Sequence, residues 1–518
     1  MKQLILFLFF SFGIYAQNEN IDVQKYHLDI TVTDQSDVIV VQEKVQLLFT
    51  NSTTQFSLDL VSQNNDGKGM LVSSVKENDV EVPFLQKDNQ LIIDTEKGVE
   101  SNVMMYTIEF SGIPKDGLVI GKNKYKARTM FGDNWPNRAQ NWFACVDHPS
   151  DKAAIHYTVT APEHYQCVAN GKMIEAKKID KTRTRFIFDS DIELPTKVMV
   201  IGLAPLKFEQ MDFPDLTVIS AVYPEDKEKG FHDMKGAYYP LEFFIENIGP
   251  YPYEELFNVQ STTRFGGMEN AGCIFYDEDA ITGEGTMDNL LAHEIAHQWF
   301  GNSVTETDWE HLWLSEGFAT YFTNLNIENR YGREKMNEQL IEDRLRVIGF
   351  SKQIMLPVID TISTNLMNLL NPNAYQKGAW FLHMLREQIG KEAFWNGIRA
   401  YYDTYKYRNA STDDFMKVME KASGQNLKPF FNQWLRRNDH PLIKTTITKK
   451  NRFTLEQIQE GKAFDIKLDI KLVYTNGESD VLSYKIPSKV FTYKSNDKRE
   501  IKEIILDPNT NLLFEEVK

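Results

Sequence analysis

The chain has 518 residues, of which 42% are hydrophobic and 25% are charged, with 28 Gly and 18 Pro. This length is more than one hydrophobic core supports, so several domains are expected, and the composition excludes collagen-like, low-complexity and wholly disordered proteins. The net charge of -16 would repel a phosphate backbone, so no nucleic-acid partner is expected.

The first 16 residues have the pattern of a secretory signal peptide. One Lys is followed by an apolar run and then by the small residue Ala16. A buried N-terminal strand or an anchor is the alternative, but polar residues follow at once. We therefore expect an exported protein, either periplasmic or secreted. No other segment approaches about 18 unbroken apolar residues, so stable membrane insertion is not expected.

Periodicity divides the rest of the chain into three parts. Residues 17–206 show strand patterns, as in residues 26–33 and 38–49, which predict an N-terminal β-sheet domain. From about Glu225 the spacing becomes helical, so a mostly α domain is predicted for residues 207–438, and residues 439–518 return to strand patterns that predict a small C-terminal β-sandwich. The predicted helices are residues 288–300, 316–330, 375–389 and 412–421, and the predicted late strands are residues 464–473 and 481–486.

The three cysteines are Cys145, Cys167 and Cys273. An exported protein with so few cysteines is not built on a disulfide framework. One bridge is compatible with this number, and a buried structural thiol is the expected role of Cys273.

A metal-binding motif lies within the first predicted helix, where residues 290–301 read LLAHEIAHQWFG. His293 and His297 are four residues apart, so on a helix both imidazoles project from one face and can share a metal. Glu294, between them, is placed to take a proton from metal-bound water. This pattern predicts a zinc-dependent hydrolytic site.

The third metal ligand has two candidate patterns. The metzincin pattern requires Gly and His at the positions that Phe300 and Ser303 occupy, so it fails. The other pattern requires a carboxylate from a following helix. Glu316 lies in the stretch WLSEGFATYF, with 18 residues between it and His297. Two His and one Glu form a known catalytic zinc set that leaves a fourth position open to water.

Together these motifs resemble the M1 family of zinc aminopeptidases. The family signature is G-[A/G]-M-E-N followed by HExxH-x18-E, and this chain has GGMEN at residues 266–270 ahead of HEIAH and Glu316. A further element, NAYQKG at residues 373–378, matches the family setting of a catalytic Tyr. Residues 142–152 and 430–441 also match, so the resemblance covers nearly the whole chain.

The resemblance implies a role for each motif residue. One Zn²⁺ would be held by His293, His297 and Glu316, with Glu294 as general base and Tyr375 as donor to the developing oxyanion. Glu269 would bind the free α-amine of the substrate. The substrate-binding segment is formed by Gly266, Gly267, Met268, Glu269 and Asn270.

The family often has a second amine contact, a Gln or Glu from the N-terminal domain. The corresponding stretch here is residues 129–136, TMFGDNWP, which contains neither residue type. Asp133 and Asn134 are the candidate substitutes.

The resemblance also implies fold and function. We expect a multidomain α+β protein in which the α domain is a thermolysin-like catalytic domain, without a C-terminal helical-repeat domain. The expected function is a zinc metallo-aminopeptidase acting on peptides with a free N-terminus. The alternatives are an endopeptidase, an epoxide hydrolase of the same fold, and a catalytically inactive protein that binds zinc and peptides. An intact Glu294 and Tyr375 disfavour the inactive protein, and Glu269 disfavours the endopeptidase.

Overall fold

A computed structural model describes residues 20–98, 100–495 and 499–517 of the chain. The predicted signal peptide, residues 1–16, lies outside these ranges and stays a prediction. In the described ranges no helix is long and apolar enough to cross a lipid bilayer. All three cysteines are buried, with free thiols.

The N-terminal part is built around an eight-stranded sheet. Strand Ile21–Thr31 lies at its centre, antiparallel to Ile39–Phe49 and parallel to Lys152–Pro162. Alternate residues of Ile39–Phe49 are buried, because successive side chains of a strand point to opposite faces. The other strands of this part, which complete this sheet and two smaller ones, are Thr53–Asp59, Gly69–Glu77, Val80–Glu81, Phe84–Lys87, Gln90–Gly98, Val103–Ile113, Leu118–Lys122, Arg128–Gly132, Gln166–Ala169, Lys172–Lys178, Arg183–Pro195 and Ile201–Ala204.

A five-stranded sheet follows, inside the region that the sequence predicted to be mostly helical. Its strands are Lys207–Met211, Thr217–Val222, Glu255–Ser261, Gly267–Met268 and Cys273–Asp277. The strand Glu255–Ser261 gives no alternating pattern because it is almost wholly buried and includes polar residues. Among these, Gln260 accepts a hydrogen bond from the Tyr223 N–H. The short edge strand Gly267–Met268 carries part of the GGMEN segment.

Nine α-helices in the described residues complete the middle of the chain. They are α1 Lys227–Met234, α2 Tyr238–Asn247, α3 Asp288–His297, α4 Trp313–Tyr331, α5 Arg333–Ser351, α6 Gly378–Ile389, α7 Lys391–Tyr405, α8 Thr412–Ser423 and α9 Lys428–Leu435. One π-helical turn, Asn373–Lys377, leads into α6. The two short strands Val304–Glu306 and Arg408–Ala410 pair in parallel beside these helices.

The C-terminal part consists of two small sheets. One contains Leu442–Lys449, Arg452–Gln457, Val490–Lys494 and Glu515–Val517, and the other contains Ile466–Tyr474, Ser479–Ile486 and Ile501–Leu506. Their buried residues share one apolar core with the helices. The predicted class, a multidomain α+β protein with an N-terminal β-rich domain, a mostly helical middle domain and C-terminal strands, is confirmed. The exact domain limits stay a prediction.

Two buried lysines join the N-terminal part to the helical part. The Lys152 ammonium donates to the main-chain carbonyls of Asn302, Ser303 and Arg408 at 3.1, 2.9 and 3.1 Å. Lys197 forms a fully buried ion pair with Glu306. Both lysines contact the segment that directly follows α3 and so hold that segment against the N-terminal part.

Candidate active site

Three side chains converge at one point between α3 and α4. The Nε2 atoms of His293 and His297 lie 3.2 Å apart, and each lies within 3.4 Å of Glu316 Oε2. In a tetrahedral zinc site with bonds of about 2.0–2.1 Å, ligand atoms lie about 3.3 Å from one another. The donor set and its spacing therefore fit a metal of this type, and in the described residues this is the only such group of His, Cys and acidic side chains.

The second histidine is oriented by atoms outside the triad. His297 Nδ1 donates to the carbonyl of Phe300 at 3.2 Å and lies 3.1 Å from Ser315 Oγ. This holds the proton on Nδ1 and leaves Nε2 free to bind a metal. Gly301 (φ 118°) is required at the end of this turn, because a Cβ there would lie 3.0 Å from His297 Nδ1.

Glu294 lies on the same side of α3, buried to 4% exposure, and packs against Gly267. A Cβ on Gly267 would stand 2.6 Å from Glu294 Cγ, well inside van der Waals contact. Only glycine allows the edge strand and the carboxylate to approach this closely.

Tyr375 reaches the cleft from the π-helical turn before α6. Its ring lies parallel to that of His293, with centroids 6.0 Å apart. Gly317, the neighbour of Glu316 in α4, packs directly against Gly378 at the start of α6. This contact brings the helix that carries Glu316 close to the turn that carries Tyr375.

Glu269 completes the group of acidic side chains that line the cleft. It is buried to 5% exposure, and its main-chain carbonyl accepts hydrogen bonds from Gln298 and Asn302. Met268 and Gly267 also line the cleft, whereas the buried side chain of Asn270 is outside the lining. Gly266 precedes them, and a Cβ there would meet only Leu290 at 3.9 Å.

Burial shifts the protonation of these groups. Burial raises the pKa of Glu294 well above its ordinary value, and the nearby carboxylate of Glu269 adds to the effect. Burial likewise raises the pKa of Glu269. Burial would also raise the pKa of Glu316, but the two histidines outweigh it and hold that pKa below its usual range. Burial and the surrounding carboxylates raise the pKa of the Tyr375 phenol well above 10.0.

Three apolar side chains that the sequence analysis did not single out also line the cleft: Trp135, Phe265 and Leu370. Trp135 comes from residues 129–136, where a second amine contact was sought. Asp133 is instead paired with Arg138, and the Asn134 amide donates to main-chain carbonyls of the N-terminal domain. Neither polar side chain lines the cleft, so the neighbouring Trp135 is what this stretch contributes.

Family models match both the N-terminal part and the helical part of the chain. Residues 23–198 match the model of the peptidase M1 N-terminal domain, and residues 235–434 match that of the peptidase family M1 domain. The chain belongs to peptidase family M1. The resemblance inferred from GGMEN, HEIAH and Glu316 is thereby confirmed at the level of the family.

Several curated relatives are similar over most of this chain. It is 26% identical over 435 residues to a glutamyl aminopeptidase of Bitis rhinoceros, covering 76% of this chain and 44% of that protein. It is 27% identical over 445 residues to a probable aminopeptidase 2 of Sulfurisphaera tokodaii, covering 82% and 54%. It is 24% identical over 416 residues to a leucyl aminopeptidase of Saccharolobus solfataricus, covering 76% and 51%. The matched region thus spans about half the length of these relatives.

Proposed function

We propose that the chain is a zinc-dependent aminopeptidase that removes the first residue from peptides with a free N-terminus. The observation that carries the proposal is the convergence of His293, His297 and Glu316 within 3.4 Å of one another. The carboxylates of Glu294 and Glu269 line the same cleft. Family membership supports a peptide substrate.

One Zn²⁺ held by His293, His297 and Glu316 would lower the pKa of a bound water and polarise the scissile carbonyl. Glu294 takes a proton from the attacking water and delivers it to the nitrogen of the leaving amine. Its burial beside Gly267 supports this role, because a carboxylate excluded from solvent retains the proton between the two transfers.

Tyr375 donates its hydroxyl proton in a hydrogen bond to the carbonyl oxygen as that oxygen becomes negative. The contribution of such a donor is largest in the transition state, where the charge is greatest. The parallel packing against the His293 ring supports a fixed orientation of the phenol.

Glu269 binds the α-ammonium of the substrate by a charge-assisted hydrogen bond. This contact places the first peptide bond at the reacting centre and so determines that one residue is removed. Met268 forms part of the wall for the first side chain. Gly266, Gly267 and the main chain at Asn270 let the extended substrate lie close to the edge strand.

A paired substrate tests the proposal. Purified protein loaded with zinc is given a short leucyl peptide with a free N-terminus and its N-acetylated twin. We expect cleavage of the free peptide alone. Cleavage of both would indicate an endopeptidase, and cleavage of neither by the loaded protein would indicate a peptide-binding protein without activity.

We also propose that the protein is exported through a signal peptide of residues 1–16 and works in the periplasm or the medium. The Lys, the apolar run and Ala16 support this. N-terminal sequencing of the protein recovered from cell fractions tests it, with a mature chain that starts at Gln17 as the expected result. An intact Met1 in the cytoplasmic fraction would contradict it.

A further inference from the structure

Two side-chain amides meet at the main-chain carbonyl of Glu269. Gln298 Nε2 donates to this oxygen at 2.9 Å and Asn302 Nδ2 at 2.6 Å. Both side chains are fully buried and both follow His297 closely in the chain. We call this pair the amide clamp.

Gln298 links the metal-binding helix to the loop that carries Glu269. Its Oε1 accepts the N–H of Gly272 at 2.9 Å, and its Nε2 lies 3.3 Å from the carbonyl of Glu294. The same amide therefore contacts the carbonyl of Glu294 in α3, and the carbonyl of Glu269 and the N–H of Gly272 in the loop. A hydrogen-bonded amide with this many fixed partners has one orientation.

The Glu269 carboxylate depends on this main-chain support. Within the described part of the chain, its Oε1 has no hydrogen-bond partner, although the side chain is almost completely buried. With this oxygen unpartnered, the position of the carboxylate depends strongly on its main chain, and the amide clamp holds that main chain.

We propose that Gln298 is a positioning residue that sets the distance between the amine-binding carboxylate of Glu269 and the metal-binding side chains. This inference rests on the amine-binding role proposed above. Because a displacement of about 1 Å in a reacting group costs on the order of 10²-fold in rate, a support of this kind affects substrate recognition without touching the substrate.

A pair of ligands isolates the amine contact. Leucine hydroxamate and its des-amino analogue, 4-methylpentanoyl hydroxamate, carry the same metal-binding group, and only the first carries an ammonium. Calorimetric dissociation constants of both are measured for the zinc-loaded wild type and for Gln298→Met, which keeps the size of the side chain and removes its hydrogen bonds. The ratio of interest is the dissociation constant of the des-amino analogue divided by that of leucine hydroxamate. We expect this ratio to fall about tenfold or more in the variant, because leucine hydroxamate binds more weakly while the des-amino constant is nearly unchanged.

The control is Tyr251→Phe. The Tyr251 hydroxyl reaches Gln298 Oε1 at 3.4 Å without contacting Glu269, so this variant should keep the wild-type ratio. Should Gln298→Met not fold, Gln298→Ala serves, because it also removes the donor to the Glu269 carbonyl and leaves space in which water can bond the Gly272 N–H. An unchanged ratio in a folded variant overturns the positioning role. A wild type that does not distinguish the two hydroxamates overturns the amine-binding role of Glu269 instead.

Discussion

Gly317 and Gly378 bring two helices into backbone contact beside the metal-binding triad. A Cβ on Gly317 would lie 2.9 Å from Gly378 Cα and 3.1 Å from the carbonyl of Ala374. These glycines are the immediate neighbours of Glu316 in sequence and of the turn that carries Tyr375. The distance between Glu316 and Tyr375 therefore depends on the lack of a side chain at both glycines.

We expect Gly317→Ala to force α4 away from α6. Overpacking of this kind costs about 1–3 kcal/mol of stability, and here it also displaces Glu316. The melting temperature and the zinc affinity should both fall. Gly349→Ala in α5 is the matched control, since a Cβ there meets no atom within 4 Å and should stabilise the helix by roughly 0.5–1 kcal/mol. Equal changes in melting temperature and zinc affinity in the two variants would contradict the prediction.

We expect Gly267→Ala to reduce activity strongly while zinc is retained. The added methyl group would meet the Glu294 side chain at 2.6 Å, so either the edge strand or the carboxylate must move. A loss of about 10²-fold in kcat/KM is expected from a displacement of this size. Gly266→Ala, which meets only a leucine methyl group at 3.9 Å, should lose far less. The comparison requires only zinc analysis and steady-state rates.

Glu294→Gln should bind zinc and lose about 10²–10⁴ of the rate, because the amide cannot accept the proton of water. The exposed Glu284, changed to Gln, is the control for loss of one negative charge near α3. Turnover close to that of the wild type would remove Glu294 as the base.

We expect the enzyme to prefer large apolar first residues over acidic ones. Trp135, Phe265 and Leu370 line the cleft, and of the described residues around it none is Lys or Arg. An acidic side chain would be buried among carboxylates without a partner, which costs several kcal/mol, so leucyl peptides should exceed glutamyl peptides by more than about 10²-fold in kcat/KM. Trp135→Ala should reduce the rate on phenylalanyl peptides most. Comparable kcat/KM values on leucyl and glutamyl peptides would contradict this preference and would show that a positive group neutralises the glutamyl side chain.

His383 makes stability depend on pH. Burial, followed by the positive charge of Arg333, lowers the pKa of His383 to about 3, against 6.5 in the unfolded chain. The unfolded chain therefore takes up the proton first as pH falls. The stabilisation is complete above about pH 6.5 and is lost as pH falls toward 3, at about 1.4 kcal/mol for each pKa unit.

Urea unfolding of the wild type and of His383→Gln between pH 4 and 8 measures this effect. The side chain contacts the Tyr321 hydroxyl and the carbonyl of Thr510, and Gln can keep a hydrogen bond to the carbonyl. The wild type should lose stability more steeply below pH 6.5. Parallel curves would show that His383 does not titrate in this window.

The convergence of the two candidate histidine ligands was predictable because helical geometry acts over a few residues. His293 and His297 are one turn apart, so their convergence follows from the helix alone. Glu316 required the family spacing, since nothing local indicates that α4 packs on α3. The predicted helices at residues 288–300 and 412–421 correspond to Asp288–His297 and Thr412–Ser423, with differences at their C-terminal ends.

The residues that line the cleft or hold its loops, but carry no motif, were not predictable in the same way. Trp135 comes from the N-terminal domain, more than a hundred residues before the metal-binding helix, and no periodic pattern connects the two. Gln298 and Asn302 resemble ordinary polar residues at a helix end, where exposed amides are common. Their amides are buried against the loop between the strands Gly267–Met268 and Cys273–Asp277, and the sequence did not reveal the sheet to which these strands belong.

Because of the two buried lysines, the helical part of the chain is not suited to be separated from the N-terminal part or joined to another protein. A fragment without the N-terminal domain would lose the buried ion pair between Lys197 and Glu306 and would expose the surface that this pair covers. The carbonyls of Asn302 and Ser303 would lose Lys152 in addition. The two parts therefore depend on each other, and recombination that separates them would expose and loosen the segment that directly follows the helix carrying His293 and His297.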